Sequence, residues 1–367
     1  MGGGRQNNFD ALRLVAAASV VFSHSFLIAE GTQDHEPLIL LTGNQSILGL
    51  VGVFIFFAIS GFLVTQSFEE TRDPLRFLAK RALRIFPGLF VATLLSAFVL
   101  APVVTTLCPS AFLSIPAPWE YVLGNTLLDQ TVHELPGVIF VNNPVGLEIN
   151  GSLWTLRYEF MMYLMVLGLG ALRLLTLPMA LLLLALGMVC LRFDLLDGSG
   201  RLVDLVNGWG WLLAFFAAGM VLYKLRHTCI FNDRIALLAF AGLVLSVPLR
   251  QFLELFPLFG CYLALWLALT PRLPVIRAAR FGDLSYGIYI YGWPAEQGVI
   301  WLLGGRAAWW QVFLLALPAA AALAFLSWHL VERPALRLKP GARRQAVPRR
   351  REAGVEVRPA ANMVTLR

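Results

Sequence analysis

Long apolar stretches recur along almost the whole chain, and they constrain the fold more than any motif does. They fall at about 10–29, 46–66, 85–107, 152–171, 177–192, 208–223, 235–249, 256–270, 284–303 and 309–331. A helix needs about 20 apolar residues to cross the hydrocarbon core, with about 17 as a lower bound. Most of these stretches reach that length; 177–192, 208–223, 235–249 and 256–270 are short. Charged residues make up only 14% of the 367, too few to coat a water-facing surface around so much apolar chain. A soluble enzyme, a disordered regulator and a DNA-binding domain are excluded on that ground. The pattern predicts an all-α integral membrane protein with about ten transmembrane helices. Cys108, Cys190, Cys229 and Cys261 lie far apart with no metal-ligand spacing, so they read as packing residues and no metal is expected. Met1 to Asn8 is short and polar, without a cleavable-signal pattern.

Orientation follows from Lys and Arg, which collect on the cytoplasmic side. With the N-terminus inside, 24 of the 29 cations lie in inside segments and four (Arg192, Arg201, Arg250 and Arg306) in outside ones. The remaining one, Arg157, falls within a span. Loop 108–151 has no cation at all and belongs outside. Both termini are therefore expected in the cytoplasm. Residues 1–338 read as one multipass domain, and 339–367 as a basic, disordered cytoplasmic tail able to touch lipid.

Ionisable side chains at membrane depth are costly, so each is a candidate for function. His24, Arg157, Glu159, Glu296 and His329 qualify. At a rise of about 1.5 Å per residue, His24 lies about 21 Å above the inner face and Glu296 about 18 Å. Glu159, counted down from an outer entry at Ser152, lies about 20 Å above it. Three titratable groups from three spans are thus expected in one layer, as a catalytic centre or as a polar cluster joining helices. Arg13 and His24 are 11 residues apart, almost three turns, so they share a face about 16 Å apart along the axis. A guanidinium there suits phosphate, and a neutral imidazole suits general-base work.

Five cations crowd into residues 72–84. Asp73-Pro74 reads as an N-cap and first helical position, with Leu75, Leu78 and Ala82 as an apolar side. This predicts a short interfacial helix, separate from the span that follows, with its cations at the cytoplasmic surface. Spacing alone fits a polyanionic ligand and lipid headgroups equally well.

Five motifs in order resemble the membrane-bound acyltransferase family 3, bacterial integral membrane O-acyltransferases that modify surface glycans. They are Asn8-Phe9-Asp10-Ala11-Leu12-Arg13 ending at His24, Phe57-Ala58-Ile59-Ser60-Gly61-Phe62-Leu63, and Arg81-Ala82-Leu83-Arg84-Ile85-Phe86-Pro87. Ser152-Leu153-Trp154-Thr155-Leu156-Arg157-Tyr158-Glu159 and Leu284-Ser285-Tyr286-Gly287-Ile288-Tyr289 complete the set. The resemblance covers about residues 7–338. It implies that Arg13 and His24 are essential, with His24 as the base, and that Arg81 and Arg84 help hold an acyl-CoA donor. Glu159 matches the family's acidic position. The chain departs from the family at Tyr291-Gly292-Trp293-Pro294, where many members carry a histidine, and at Arg157, where an uncharged residue is usual.

The function so implied is transfer of an acyl group, most simply acetyl, from cytoplasmic acetyl-CoA or another acyl-CoA to a hydroxyl of an extracytoplasmic glycan or glycolipid at the bacterial inner membrane. Arg13, His24 and Glu159 are the expected catalytic residues, with Glu159 orienting His24. Lys80, Arg81 and Arg84 are expected on the donor, and Trp154, Tyr289 and Glu296 on the acceptor. Ser60 or a tyrosine is a candidate for a transient acyl carrier, although Ser60 beside Gly61 is also a small-residue packing pair. Membrane lipid is a partner and nucleic acid is not. The rival class is a transporter of a small anionic or glycan substrate, which also needs ionisable residues near the midplane. The chain shows no internal repeat, and a transporter gives the paired arginines no evident task.

Overall fold

The computed structural model describes residues 7–338 apart from 72, 130–133, 138–139, 141, 229–230, 271–275 and 277. Arg5, Arg72, Cys229, Arg272, Arg277 and the basic tail expected at 339–367 lie outside the described residues. Each apolar stretch folds as a helix, and no strand occurs among the described residues. The helices are α1 (Phe9–Glu30), α2 (Leu48–Thr71), α3 (Pro74–Leu95), α4 (Trp154–Ala171), α5 (Leu177–Cys190), α6 (Arg201–Lys224), α7 (Asp233–Ser246), α8 (Gly260–Leu269), α9 (Ser285–Leu302) and α10 (Trp309–Ser327). α3 runs on through a π-helical turn at Ser96–Leu100 to Val104, and α10 through another at Trp328–Glu332 to Arg337.

Five of these are long and apolar enough to cross a membrane: Phe9–Glu30, Leu48–Thr71, Pro74–Val104, Arg201–Lys224 and Trp309–Arg337. The stretches at 177–192, 235–249 and 256–270 give helices of only 14, 14 and 10 residues. The outer surface is apolar where a soluble protein would be charged: Leu182, Leu237, Leu238, Phe240 and Leu314 all point outward.

α2 is the centre of the bundle. It packs along α1 on one side and α6 on another, with α3, α4 and α8 also against it. Small residues set these approaches, because helices in an apolar solvent associate by close van der Waals contact rather than by expelling water. A Cβ at Gly61 would lie 1.9 Å from the Phe216 carbonyl oxygen, and one at Gly219 2.0 Å from that of Ala58, so the α2 and α6 backbones touch. Gly52 meets the Ala16 carbonyl of α1 in the same way. Gly61→Ala is therefore expected to force the two helices apart and to cost about 2 kcal/mol or more. A lowered melting temperature in detergent checks it, and an unchanged one contradicts the close packing.

The basic segment departs from expectation. Asp73 does cap the helix, accepting from the Arg76 amide at 3.1 Å, with Pro74 at its first position. But residues 74–95 form one continuous helix, not an interfacial helix followed by a span. Pro87 does not end it, as bundle helices tolerate an internal proline. Nearby, Tyr286 Oη donates to the Ile85 carbonyl at 2.8 Å and ties α9 to α3. The burial is also inverted. Leu75 is exposed, while Phe77, Ile85, Gly88 and Leu89 are buried, and the Arg81 and Arg84 side chains run inward with them. With apolar solvent outside, Leu75 faces outward while Arg81 and Arg84 turn in; Leu78 and Ala82 are half-buried and Arg76 is exposed.

The predicted outer loop is partly a plug. Asn150 Nδ2 donates to the Ile290 carbonyl at 2.8 Å, Asn143 Nδ2 to Gln297 Oε1 at 2.8 Å, and Gln297 Nε2 to the Val145 carbonyl at 2.7 Å. The Trp293 indole donates to the Glu148 carbonyl at 3.1 Å. Irregular backbone can lie inside an apolar bundle only when protein groups satisfy it this way. α4 therefore starts within the bundle, beside the middle of α9.

Candidate active site

That starting point changes the expected layer of three titratable groups. Counting from Ser152 as a surface residue placed Glu159 too high. With Ser152 buried inside the bundle, Glu159 falls nearer the N-terminal end of α1. His24 and Glu296 do meet: Nδ1 of His24 is 3.8 Å from Glu296 Oε2. Glu159 instead accepts from Ser60 Oγ at 3.0 Å and from the Tyr163 hydroxyl one turn further along α4. The carboxylate beside His24 is thus Glu296, where the sequence reading had assigned Glu159 to it.

Glu159 lines a cavity of about 400 Å³ enclosed by α1, α2, α3, α4 and α9. Arg13, Lys80, Arg81 and Arg84 line it too, as do Ser60, Thr155, Tyr163 and Tyr289. Six of the expected site residues, Arg13, Lys80, Arg81, Arg84, Glu159 and Tyr289, on α1, α3, α4 and α9, are thus brought to one space. His24, Trp154 and Glu296 are not among its lining residues. Trp154 packs partly buried against the core, edge-on to Tyr158 at 6.0 Å. Tyr289 closes the inner end, with its hydroxyl 2.6 Å from Thr155 Oγ1 and its ring against Phe56. Four residues on, about 6 Å along the same helix face, the Trp293 ring sits 4.9 Å from that of His24. On α9 the cavity lining therefore reaches Tyr289, about one helical turn before the residue that packs on His24.

The four cations are not equivalent. Arg84 Nη2 lies 2.7 Å from Asp283 Oδ2, Nη1 lies 4.0 Å from Glu332 Oε2, and the guanidinium stands over the Tyr286 ring. Burial pushes the Asp283 carboxyl up, but Arg84 and Arg13 outweigh it and hold that carboxyl below its usual range. Arg84 is therefore already neutralised and ties α3 to the start of α9 and to the π-helical turn after α10. Arg81 has no carboxylate partner among the described residues. Its Nη2 donates to Ser67 Oγ at 3.1 Å, its Nε is buried without a partner, and it packs on the Phe77 and Tyr163 rings. Lys80 donates to Thr71 Oγ1 at 2.7 Å. Arg13 has no ion pair among the described residues either. Arg13, Lys80 and Arg81 thus line the cavity without an ion pair among the described residues, with Glu70 and Glu159 in the same lining. No group of three or more His, Cys, Asp or Glu side chains suited to a metal occurs among the described residues.

Several participants carry no sequence signal of their own. Tyr163 and Ser67 become recognisable only through the cavity. Asp283 precedes the Leu-Ser-Tyr motif by one residue and Glu332 sits in an apolar helix end, so each could have been read as a lone acid facing the paired arginines.

A family model described as "Acyltransferase domain" matches residues 6–329. The chain is 30% identical to nodulation protein 10 of Rhizobium leguminosarum bv. viciae, over 94% of this chain and 97% of that protein. It is 28% identical to the O-acetyl transferase of Shigella phage Sf6, over 90% of this chain and 96% of the other. No solved structure matches. A cavity that holds three cations without an ion pair among the described residues, lined by residues of all five sequence motifs, lies within a match that spans nearly the entire chain, and the protein belongs to the membrane-bound acyltransferase family 3.

Proposed function

We propose that this acyltransferase moves an acetyl group from cytoplasmic acetyl-CoA to a hydroxyl of an extracytoplasmic glycan, across the bacterial inner membrane. The observation that carries the proposal is the cavity's polarity. Its lining holds Arg13, Lys80 and Arg81, none in an ion pair among the described residues, and on α9 it reaches Tyr289, one turn before the Trp293 that packs on His24. A nucleotide with several phosphates suits the first feature, since guanidinium and ammonium groups bind phosphate strongly. A thin arm ending in a thioester suits the second. The charge distribution along the sequence places the N-terminal end of α1 in the cytoplasm, and the O-acetyl transferase relative is in keeping with a hydroxyl acceptor.

His24 then acts as the general base. It takes the proton from the acceptor hydroxyl as that oxygen attacks the thioester carbonyl carbon. The new C–O bond forms, the C–S bond breaks, and the proton passes from the imidazolium to the departing thiolate. Glu159, held by Ser60 and Tyr163, orders the polar inner part of the cavity. Acceptor access is from the side of loop 108–151, which carries no cation.

Proteoliposomes of one orientation test this. Labelled acetyl-CoA is supplied only on the face of the α1 N-terminus, and a soluble oligosaccharide only on the other. Acetylated product on the far side is expected. Product formed only when both substrates share the α1 face would refute transfer across the membrane.

A further inference from the structure

Glu296 is fully buried on α9. Its Oε1 is hydrogen-bonded to Ser25 Oγ at 2.8 Å, and Ser25 follows His24 on α1. Its other oxygen, Oε2, is buried and has no hydrogen-bond partner, and neither has the buried Nδ1 of His24. These two leftover atoms face each other across 3.8 Å. A buried polar atom without a partner is costly, more so for a charged group, so two such atoms on adjacent helices at one point are not accounted for by packing. A shift of less than an ångström brings them into a hydrogen bond. The Trp293 ring, edge-on to the imidazole, restricts its rotation. The His24 side chain retains 16% exposure although Nδ1 has none, so its accessible part lies elsewhere on the ring.

We infer that Glu296 is the positioning residue of His24. It accepts the Nδ1 proton, which fixes the tautomer with a free lone pair on Nε2, and it stabilises the imidazolium while the acceptor proton resides on the ring. Ser25 holds the other carboxylate oxygen and so sets the direction of the first. The same division of labour, in which a buried carboxylate orients a histidine that does the proton transfer, works on unrelated folds. This inference rests on His24 being the base, and it moves the acidic partner from Glu159 to a residue that no sequence motif marks.

The test compares Glu296→Gln, Glu296→Ala and His24→Ala in the full-length protein in detergent. The readout is thiol release from acetyl-CoA with polysaccharide extracted from the surface of the source cells. Glu296→Gln keeps the shape and the Ser25 bond but removes the charge. It is expected to lower kcat about 100-fold, the lower end of what a positioned general base contributes, with KM for acetyl-CoA and the melting temperature unchanged. Adding Glu296→Gln to His24→Ala is expected to cost nothing further, because the pair acts as a unit. Wild-type kcat in Glu296→Gln with an inactive His24→Ala would overturn the pairing and leave the base in place. A fall in melting temperature that matches the fall in kcat would make Glu296 a structural residue, and so overturn it as well; Glu296→Ala, which also removes the Ser25 bond, gives the size of that structural effect. An active His24→Ala would instead remove the base itself.

Discussion

His24→Ala is expected to lower acyl transfer by about three orders of magnitude, within the range that a positioned general base supplies. The loss should appear in kcat with KM for the donor little changed, since the donor cations line a cavity that the His24 side chain does not. Insertion and folding should survive. The imidazole makes no full hydrogen bond through Nδ1, and its chief neighbour is the Trp293 ring. His24→Gln, which fills more of the volume, separates a packing defect from lost chemistry: both variants inactive and both folded is the expected result. Activity above about a tenth of wild type in either would make His24 a structural residue, because removal of a true base costs more than that.

The paired arginines are expected to fail in different ways. Arg84→Ala leaves Asp283 and the buried Glu332 facing each other without their shared cation. Breaking a buried ion pair from one side costs about 3–5 kcal/mol. Arg84 and Asp283 keep about a fifth of their side-chain exposure, which places the loss at the lower end, about 3 kcal/mol, through partial solvation. The measurement is the melting temperature in detergent, and Asp283→Asn should partly restore it in the double variant. Arg81→Ala removes a cation with no carboxylate to strand. It should leave the melting temperature near wild type and raise the acetyl-CoA KM by about 10- to 100-fold, the size of a lost charge-assisted hydrogen bond. Its effect should shrink in high salt, where phosphate contacts near solvent are already screened. Equal changes in KM from both variants, with neither destabilising, would cancel the distinction.

These contrasts show where sequence reasoning ends. Apolar length and low charge content fix an all-helical bundle, because backbone groups inside an apolar medium must bond within their own helix. Asp73 and Pro74 mark a helix start through local capping, and Arg13 and His24 share a face through helical periodicity. The catalytic candidates are visible for the same kind of reason: an ionisable group in an apolar run stands out. What remained hidden depends on the path of the chain between helices. The fold-back of residues 142–153 onto α9 lowers Glu159 away from His24, and no periodicity records such a loop. The direction of the arginine face depends on what lies outside the helix, so Leu75 of the expected apolar side points outward while Arg81 and Arg84 turn in. The neutralisation of Arg84 by Asp283 and Glu332 joins residues 199 and 248 positions apart, and the meeting of His24 with Glu296 joins residues 272 apart. Charge and hydrogen bonding act over a few ångströms in space whatever the separation along the chain, so only the packed bundle decides which cation is free and which acid serves the histidine.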